Sequence, residues 1–252
     1  GRSISAPSQY FDNESIRGGV EVFKLDEDFK ASEEQGDGSL AGVVYDVIDK
    51  STNETVLSIT TKWDATRNAF IAESAPDALY MGDYTVKEVK SGMGYHNGGF
   101  TKDFSIVNNG DMVTFDTDTE NPIYRGGFVF NKFAEDTKDA ESGDVDFAGI
   151  RFAVVNRSKN AVMVNDISYN PGDVVSIVST DSNGHIDTTN ILLPYGYYET
   201  YELRRDSKVG VGLNYDDSDK GVSIYATPEQ DSVLWKENKG QFAIETDGDV
   251  VS

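Results

Sequence analysis

Apolar and polar residues alternate along most of this chain with a period of two. Val20-Glu21-Val22-Phe23, Val56-Leu57-Ser58-Ile59-Thr60, Tyr84-Thr85-Val86-Lys87-Glu88-Val89 and Phe104-Ser105-Ile106 each read as a half-buried strand, because successive side chains of a strand point to opposite faces. Turn-forming clusters separate them: Gly36-Asp37-Gly38, Asn97-Gly98-Gly99, Asn108-Asn109-Gly110-Asp111 and Ser182-Asn183-Gly184. No stretch sustains a 3.6-residue period with capping residues, and Ala72 to Leu79 is the one place where a short helical turn is expected. Many short strands punctuated by turns predict an all-β chain built of β-sandwiches.

The pattern occurs twice. Arg17-Gly18-Gly19-Val20-Glu21-Val22-Phe23-Lys24 returns as Arg125-Gly126-Gly127-Phe128-Val129-Phe130-Asn131-Lys132, a shift of 108 from 17 to 125. Leu40-Ala41-Gly42-Val43 returns as Phe147-Ala148-Gly149-Ile150, and Leu79-Tyr80-Met81-Gly82 as Leu193-Pro194-Tyr195-Gly196. Phe104-Ser105-Ile106 returns as Phe242-Ala243-Ile244, by which point the shift has grown to 138. Most of the added length therefore falls between Glu202 and Phe242, a stretch holding Tyr215, Tyr225, Trp235 and the acidic run Asp216-Asp217-Ser218-Asp219. Repetition at domain length predicts two tandem units, 16–121 and 122–252, the second with an insertion near 205–240. Residues 1–15 read as the tail of a preceding unit or a cloning remnant. The simplest expectation for the insertion is one extra exposed hairpin; inserted loops are also where a rigid scaffold carries binding sites.

With 252 residues, each unit is long enough to bury its own core, and none of the residues is cysteine, so disulfides contribute nothing. Forty-four acidic against 22 basic residues give a net charge of −22. Such a surface repels phosphate backbones and anionic lipids, so neither nucleic acid nor membrane is an expected partner. No apolar run reaches the length of a membrane span, and no secretory signal opens the sequence, which reads as an excised fragment, monomeric by itself.

One lysine in each unit breaks the apolar alternation. Period two places Val20, Val22 and Lys24 on one face, and Phe128, Phe130 and Lys132 on the corresponding face of the second copy. The same parity puts Tyr84, Val86 and Glu88 together, and Tyr198, Thr200 and Glu202. Each unit thus offers an inward lysine and an inward glutamate. A buried ammonium must find a carboxylate or lose its proton. On pattern alone a salt bridge, or a lysine whose head reaches solvent, accounts for both.

The order of these features adds to that reading. An opening Gly-Gly-x-x-x-x-Lys strand is followed by Leu-Ala-Gly-x-x-Tyr at 40–45. Leu193-Pro194-Tyr195-Gly196-x-Tyr198-x-x-x-Glu202 is intact in the second copy and degenerate at Leu79-Tyr80-Met81-Gly82 in the first. Gly94-Tyr95-His96-Asn97 then follows the glutamate strand. The sequence resembles the Cna B-type (SpaA-type, prealbumin-like) repeats of Gram-positive surface adhesins and pilins, over nearly the whole chain after Ser15. The resemblance implies two tandem immunoglobulin-like or prealbumin-like β-sandwich domains. It also implies a wall-anchored protein of the cell surface, with neighbouring modules of the same chain as partners.

Members of that family commonly carry an intramolecular isopeptide bond between a lysine of the first strand and an asparagine or aspartate of the last, assisted by a glutamate or aspartate. By position, the resemblance implies Lys24 as nucleophile, Glu88 as assisting acid and Asn121 as acceptor. Asp116 is an alternative acceptor that would release water instead of ammonia. Asn121 is preferred because Asn13 precedes the first Arg-Gly-Gly at the same spacing. In the second unit it implies Lys132 and Glu202, with an acceptor past Ser252, which would leave Lys132 unbonded. The chemistry is coherent. A neutral buried amine attacks, the glutamate in its acid form donates to the amide carbonyl, and folding supplies proximity without a separate enzyme. The covalent tie would join the two strands that bear tension.

Other signals are weaker. His96 and His185 are single and lie in turn contexts, giving little support to a metal site or hydrolytic triad. Asp116-x-Asp118-x-Glu120 and Asp217-x-Asp219-x-Gly221 lack the full spacing of calcium loops. No cofactor or metal is expected. The leading expectation is a non-enzymatic structural stalk. The alternative is an adhesin domain that binds a host extracellular protein or glycan through the inserted region.

Overall fold

A computed structural model of the chain describes residues 14–132, 147–188, 191–204, 207–215, 240–248 and 250–251. Asn13, Tyr225, Trp235 and the acidic run 216–219 lie outside the described residues. Up to residue 121 the strands are β1 (Arg17–Asp26), β2 (Val44–Asp49), β3 (Glu54–Thr60), β4 (Lys62–Asp64), β5 (Ala69–Glu73), β6 (Leu79–Tyr80), β7 (Gly82–Lys90), β8 (Thr101–Ile106), β9 (Asp111–Phe115) and β10 (Glu120–Asn121). They continue with β11 (Arg125–Asn131), β12 (Arg151–Asn156), β13 (Val162–Val164), β14 (Ile167–Tyr169), β15 (Val174–Ser179), β16 (His185–Asp187), β17 (Leu193–Pro194), β18 (Gly196–Glu202), β19 (Gly240–Ile244) and β20 (Val250–Val251). The fold is all-β, and no helix occurs among the described residues. The helical turn expected over Ala72 to Leu79 is absent: Ala72 belongs to β5, and only a tight turn, Ala78 N–H to Ala75 C=O, separates β5 from β6. Pairing of Val22 with Ala72 across β1 and β5 claims the backbone groups that a helix would have used.

The sheets fall into two sets along the chain, and no strand before residue 122 joins a sheet with one after it among the described residues. In the first set, β10-β1-β5-β4, with β6 and β9 also on β1, lies opposite β3-β2-β7-β8. The second set repeats this plan, with β11 flanked by β16, β17 and β20, and β15-β12-β18-β19 as the other sheet. Register repeats as well. Gly19 pairs with Met112 in parallel, and 108 and 138 positions later Gly127 pairs with Val250. Tyr45 faces Glu88 in the ladder as Phe152 faces Glu202. The opening Gly-Gly has a steric reason in the first copy, since a Cβ on Gly18 would lie 2.6 Å from the Asp111 carbonyl of β9.

Alternation sorts the side chains as the pattern predicts. Val20 and Val22 of β1 pack with Tyr45, Val47, Val86, Phe104 and Ile106 from the facing sheet. Each fully buried aliphatic side chain contributes roughly 1.5–3 kcal/mol. Phe128, Phe152, Val154, Tyr198 and Ile244 form the corresponding core further on. There, however, the sheet of β12 and β18 is covered on its outer face too: Ala153, Val155, Val174, Tyr201, Leu203 and Tyr215 make a second cluster, with Tyr215 stacked on Tyr201 at 4.3 Å between ring centroids. The described beginning of the insertion thus folds back on the sheet, where an exposed hairpin was expected.

Candidate functional site

Lys24 lies near the end of β1, on the same inward face as Val20 and Val22, and all three are fully buried. Glu88 reaches the same interior from β7 of the opposite sheet and is 2 % exposed. Asn121, fully buried, sits on β10, whose parallel pairing with β1 sets Asp26 against Asn121. Three elements far apart in sequence therefore deliver one cation, one carboxylate and one amide to a common point. Tyr45 and Phe100, edge to face at 5.7 Å, and Phe115, 5.6 Å from Phe100, supply the apolar surroundings.

Glu88 bridges the other two residues. Lys24 Nζ donates to Glu88 Oε2 at 2.9 Å, and Asn121 Nδ2 donates to Glu88 Oε1 at 2.6 Å. Lys24 Nζ also donates to the Thr119 carbonyl at 2.5 Å. Burial pushes the Lys24 ammonium below its usual range, while the charge of Glu88 and its hydrogen bond pull it back up; burial is the larger effect. The Asn121 side chain is held from its other end by the Gly98 N–H, which donates to Oδ1 at 2.8 Å. Glu88 was expected to meet the amide carbonyl; it meets the amide nitrogen instead, and the carbonyl oxygen belongs to Gly98. The orientation of the amide is fixed by its neighbours, since a carboxylate can only accept from Nδ2 and an N–H can only donate to Oδ1.

The alternative acceptor, Asp116, is exposed just past β9. In the second unit Lys132 Nζ lies 3.0 Å from Glu202 Oε2, at 24 % and 16 % side-chain exposure. That contact is one of charge, because Oε2 receives no hydrogen bond of good geometry. The pair repeats Lys24 and Glu88 in position but is wetter.

Sequence reasoning missed three contributors. Thr119 and Gly98 act through backbone groups, which no residue pattern announces, and Gly98 registered only as part of a turn. Asp26, fully buried one step past Lys24 and Leu25, accepts from the Tyr95 hydroxyl at 2.9 Å and from Gln35 Nε2 at 3.1 Å. Burial holds its carboxyl above the ordinary value despite those bonds. The Gly94-Tyr95-His96-Asn97 motif was a partial signal, since Tyr95 serves Asp26 and Asn97 Nδ2 donates to the Glu88 carbonyl at 3.2 Å.

The remaining candidates fall elsewhere. His96 Nε2 lies 3.2 Å from Asp247, and its ring stands on Tyr124. His185 opens β16 and meets Asn131 Oδ1 through Nδ1 at 2.8 Å. Asp118 pairs with Lys102 at 3.0 Å. Among the described residues no cluster of three or more His, Cys, Asp or Glu could hold a metal ion.

No family model and no curated protein matches the chain. Solved structures do. The Bacillus anthracis TIE protein aligns with a TM-score of 0.50 at 20% identity, over 94% of this chain and 33% of that one. A streptococcal ancillary pilin aligns at 17% identity with a TM-score of 0.30, over 84% of this chain and 62% of its own. SpaE basal pilin from Lactobacillus rhamnosus GG aligns at 15% identity with a TM-score of 0.31, over 86% and 95%. The chain spans about a third of the TIE protein's length and less than two thirds of the ancillary pilin's. In fold, the chain is all-β and similar to the Bacillus anthracis TIE protein.

Proposed function

We propose that the chain is a non-enzymatic structural stalk of a Gram-positive surface adhesin or pilin, made of two tandem modules, 16–121 and 122–252, and displayed outside the cell wall. Its first module is closed by an autocatalytic isopeptide bond between Lys24 and Asn121. The observation that carries this reading is the dry Lys24–Glu88–Asn121 arrangement, in which one carboxylate touches both prospective partners of an amide exchange. Glu88 takes the proton that Lys24 Nζ must shed and returns one to Asn121 Nδ2. The new Nζ–Cγ bond forms, the Cγ–Nδ2 bond breaks, and ammonia leaves. Desolvation favours the neutral, nucleophilic amine.

The product would tie the first strand of the module to its last, closing a loop of about a hundred residues. By analogy with a disulfide of that span, the tie is worth roughly 4–5 kcal/mol. Pulled from its ends, the module would carry load through the tie, leaving the strands between Lys24 and Asn121 unloaded. In the second module Lys132 and Glu202 would take the roles of Lys24 and Glu88. The adhesin alternative gains nothing from the described part of the insertion, which covers the sheet of β12 and β18. Neighbouring modules of the chain are the partners this reading requires.

Intact-mass measurement after full denaturation tests the bond. The expected mass is lower than the sequence mass by one ammonia, restored in full by Lys24→Ala. An unaltered wild-type mass would remove the reading, and a loss of water would move the acceptor to an aspartate such as Asp116.

A further inference from the structure

Attack on Asn121 places a negative charge on Oδ1, and something must receive it. Glu88 cannot, since its carboxylate faces Nδ2. We propose that the backbone N–H of Gly98 is the oxyanion donor of the bond-forming reaction, and that Asn97 is the positioning residue that aims it. The proposal rests on the isopeptide reading above and adds to it the group that stabilises the tetrahedral intermediate.

The geometry is built for one task. Gly98 N–H already donates to Oδ1 at 2.8 Å, within the range of working oxyanion donors. The approach is close enough to demand glycine. A Cβ at this position would fall 2.2 Å from the Glu120 carbonyl and 2.6 Å from Asn121 Oδ1 itself. The turn is fastened to the strand that carries the proton shuttle: Asn97 Nδ2 donates to the Glu88 carbonyl at 3.2 Å, and Glu88 N–H donates to the Phe100 carbonyl at 2.9 Å. Asn97 Oδ1 also accepts from the Gly99 N–H at 2.7 Å, which stiffens the turn from within. Glu88 thus sets both ends of the amide, holding Nδ2 by its side chain and Oδ1 through the turn its backbone anchors.

The electron accounting closes with groups already present. The Nζ lone pair forms the bond to Cγ, and the carbonyl pair moves to Oδ1 beneath Gly98 N–H. The pair then returns as the Cγ–Nδ2 bond breaks, and the proton from Nζ leaves on ammonia by way of Glu88. Nothing is oxidised or reduced, and no co-reactant is needed.

The test uses the full chain made by cell-free synthesis and sampled over time by denaturing mass spectrometry, with the folded fraction followed in parallel. Wild type should lose ammonia as fast as it folds. Asn97→Ala should fold and then cross-link about 100-fold more slowly. Gly98→Ala, where the Glu120 carbonyl must give way to the new Cβ, should show the same slowing in the fraction that folds. Asn97→Ala keeps the Gly98 N–H and adds no Cβ beside Asn121, so it remains informative if Gly98→Ala fails to fold. A structural effect is separated by placing Asn97→Ala in the Lys24→Ala chain, where no bond can form. There its melting temperature should stay close to that of Lys24→Ala alone, while the Gly98 amide exchanges faster with solvent. If folded Asn97→Ala cross-links at the wild-type rate, the oxyanion assignment is overturned and the bond stands. If wild type never loses ammonia, the bond and the assignment fall together.

Discussion

Two buried polar residues beside the site make opposite demands on the fold. Tyr45 places its hydroxyl in the core with no hydrogen-bond partner, and the ladder position it occupies is filled by Phe152 in the second repeat. An unpaired buried hydroxyl costs about 1–3 kcal/mol. Tyr45→Phe is therefore expected to raise stability by about 1 kcal/mol in urea denaturation; a loss of similar size would show that the hydroxyl is satisfied in solution. Asp26 is satisfied but desolvated, and burial raises its folded pKa above the unfolded value of 3.8. The native state therefore binds its proton more tightly. That contribution is complete below the unfolded value and is lost as pH rises through the folded one. Measured from about pH 3 to about pH 8, wild type should lose stability relative to Asp26→Asn as pH increases. A difference that stays flat over this range would contradict the raised pKa. Lys24 itself was legible, because the alternation that buries Val20 and Val22 must bury the next residue of that parity. Gly98 and Thr119 were not, because a backbone donor or acceptor has no signature in side-chain order.

At the scale of elements, the strands were readable where one face is buried and the other wet. β1, β3, β7 and β8 each contain the segment whose alternation announced them. The reading failed where tertiary pairing overrides local pattern, as at Ala72, taken by β5. It also fell short at β12, where burial of both faces follows from a segment more than fifty residues later in the chain. Tyr215 packs against that face, and nothing near Ala153 or Val155 in sequence reports it. The repeat was the most informative pattern of all, since residues matched between the two copies pair in matched registers even though the shift between copies grows along the chain. It could do so because a ladder has a strict period, and a slip of one residue would turn every core side chain outward.

Over the whole molecule, contact between the repeats combines an apolar cluster of Leu40, Tyr95, Ile123 and Tyr195 with polar groups that have definite partners. Gln35 is fully buried, donates to Asp26 and Asp28, and accepts from Met163 N–H at 2.7 Å. Arg125 reaches Asp28 from the second repeat at 2.7 Å, and Gly36 exchanges backbone hydrogen bonds with Ala161 and Asn160. Gln35→Ala strands the Met163 N–H and loosens Asp26 and Asp28, at a cost of about 1–3 kcal/mol. Scanning calorimetry should then resolve two unfolding transitions where wild type gives one. An unchanged single transition would mean that the repeats are coupled elsewhere.

The parallel pairing of β1 with β9 and β10 has a consequence for a chain that emerges from one end. Parallel neighbours cannot be joined by a tight hairpin, and here the partners of Gly18 to Val22 are Asp111 to Phe115, with Asp26 waiting for Asn121. During synthesis or export, the first strand appears about ninety residues before the strands that complete its sheet. Until then β1 has β5 on one side and a bare edge on the other, the kind of edge that recruits foreign strands. The sheet of the first repeat is thus completed only by its C-terminal strands, and the pocket around Lys24 is assembled by the last residues of that repeat to arrive.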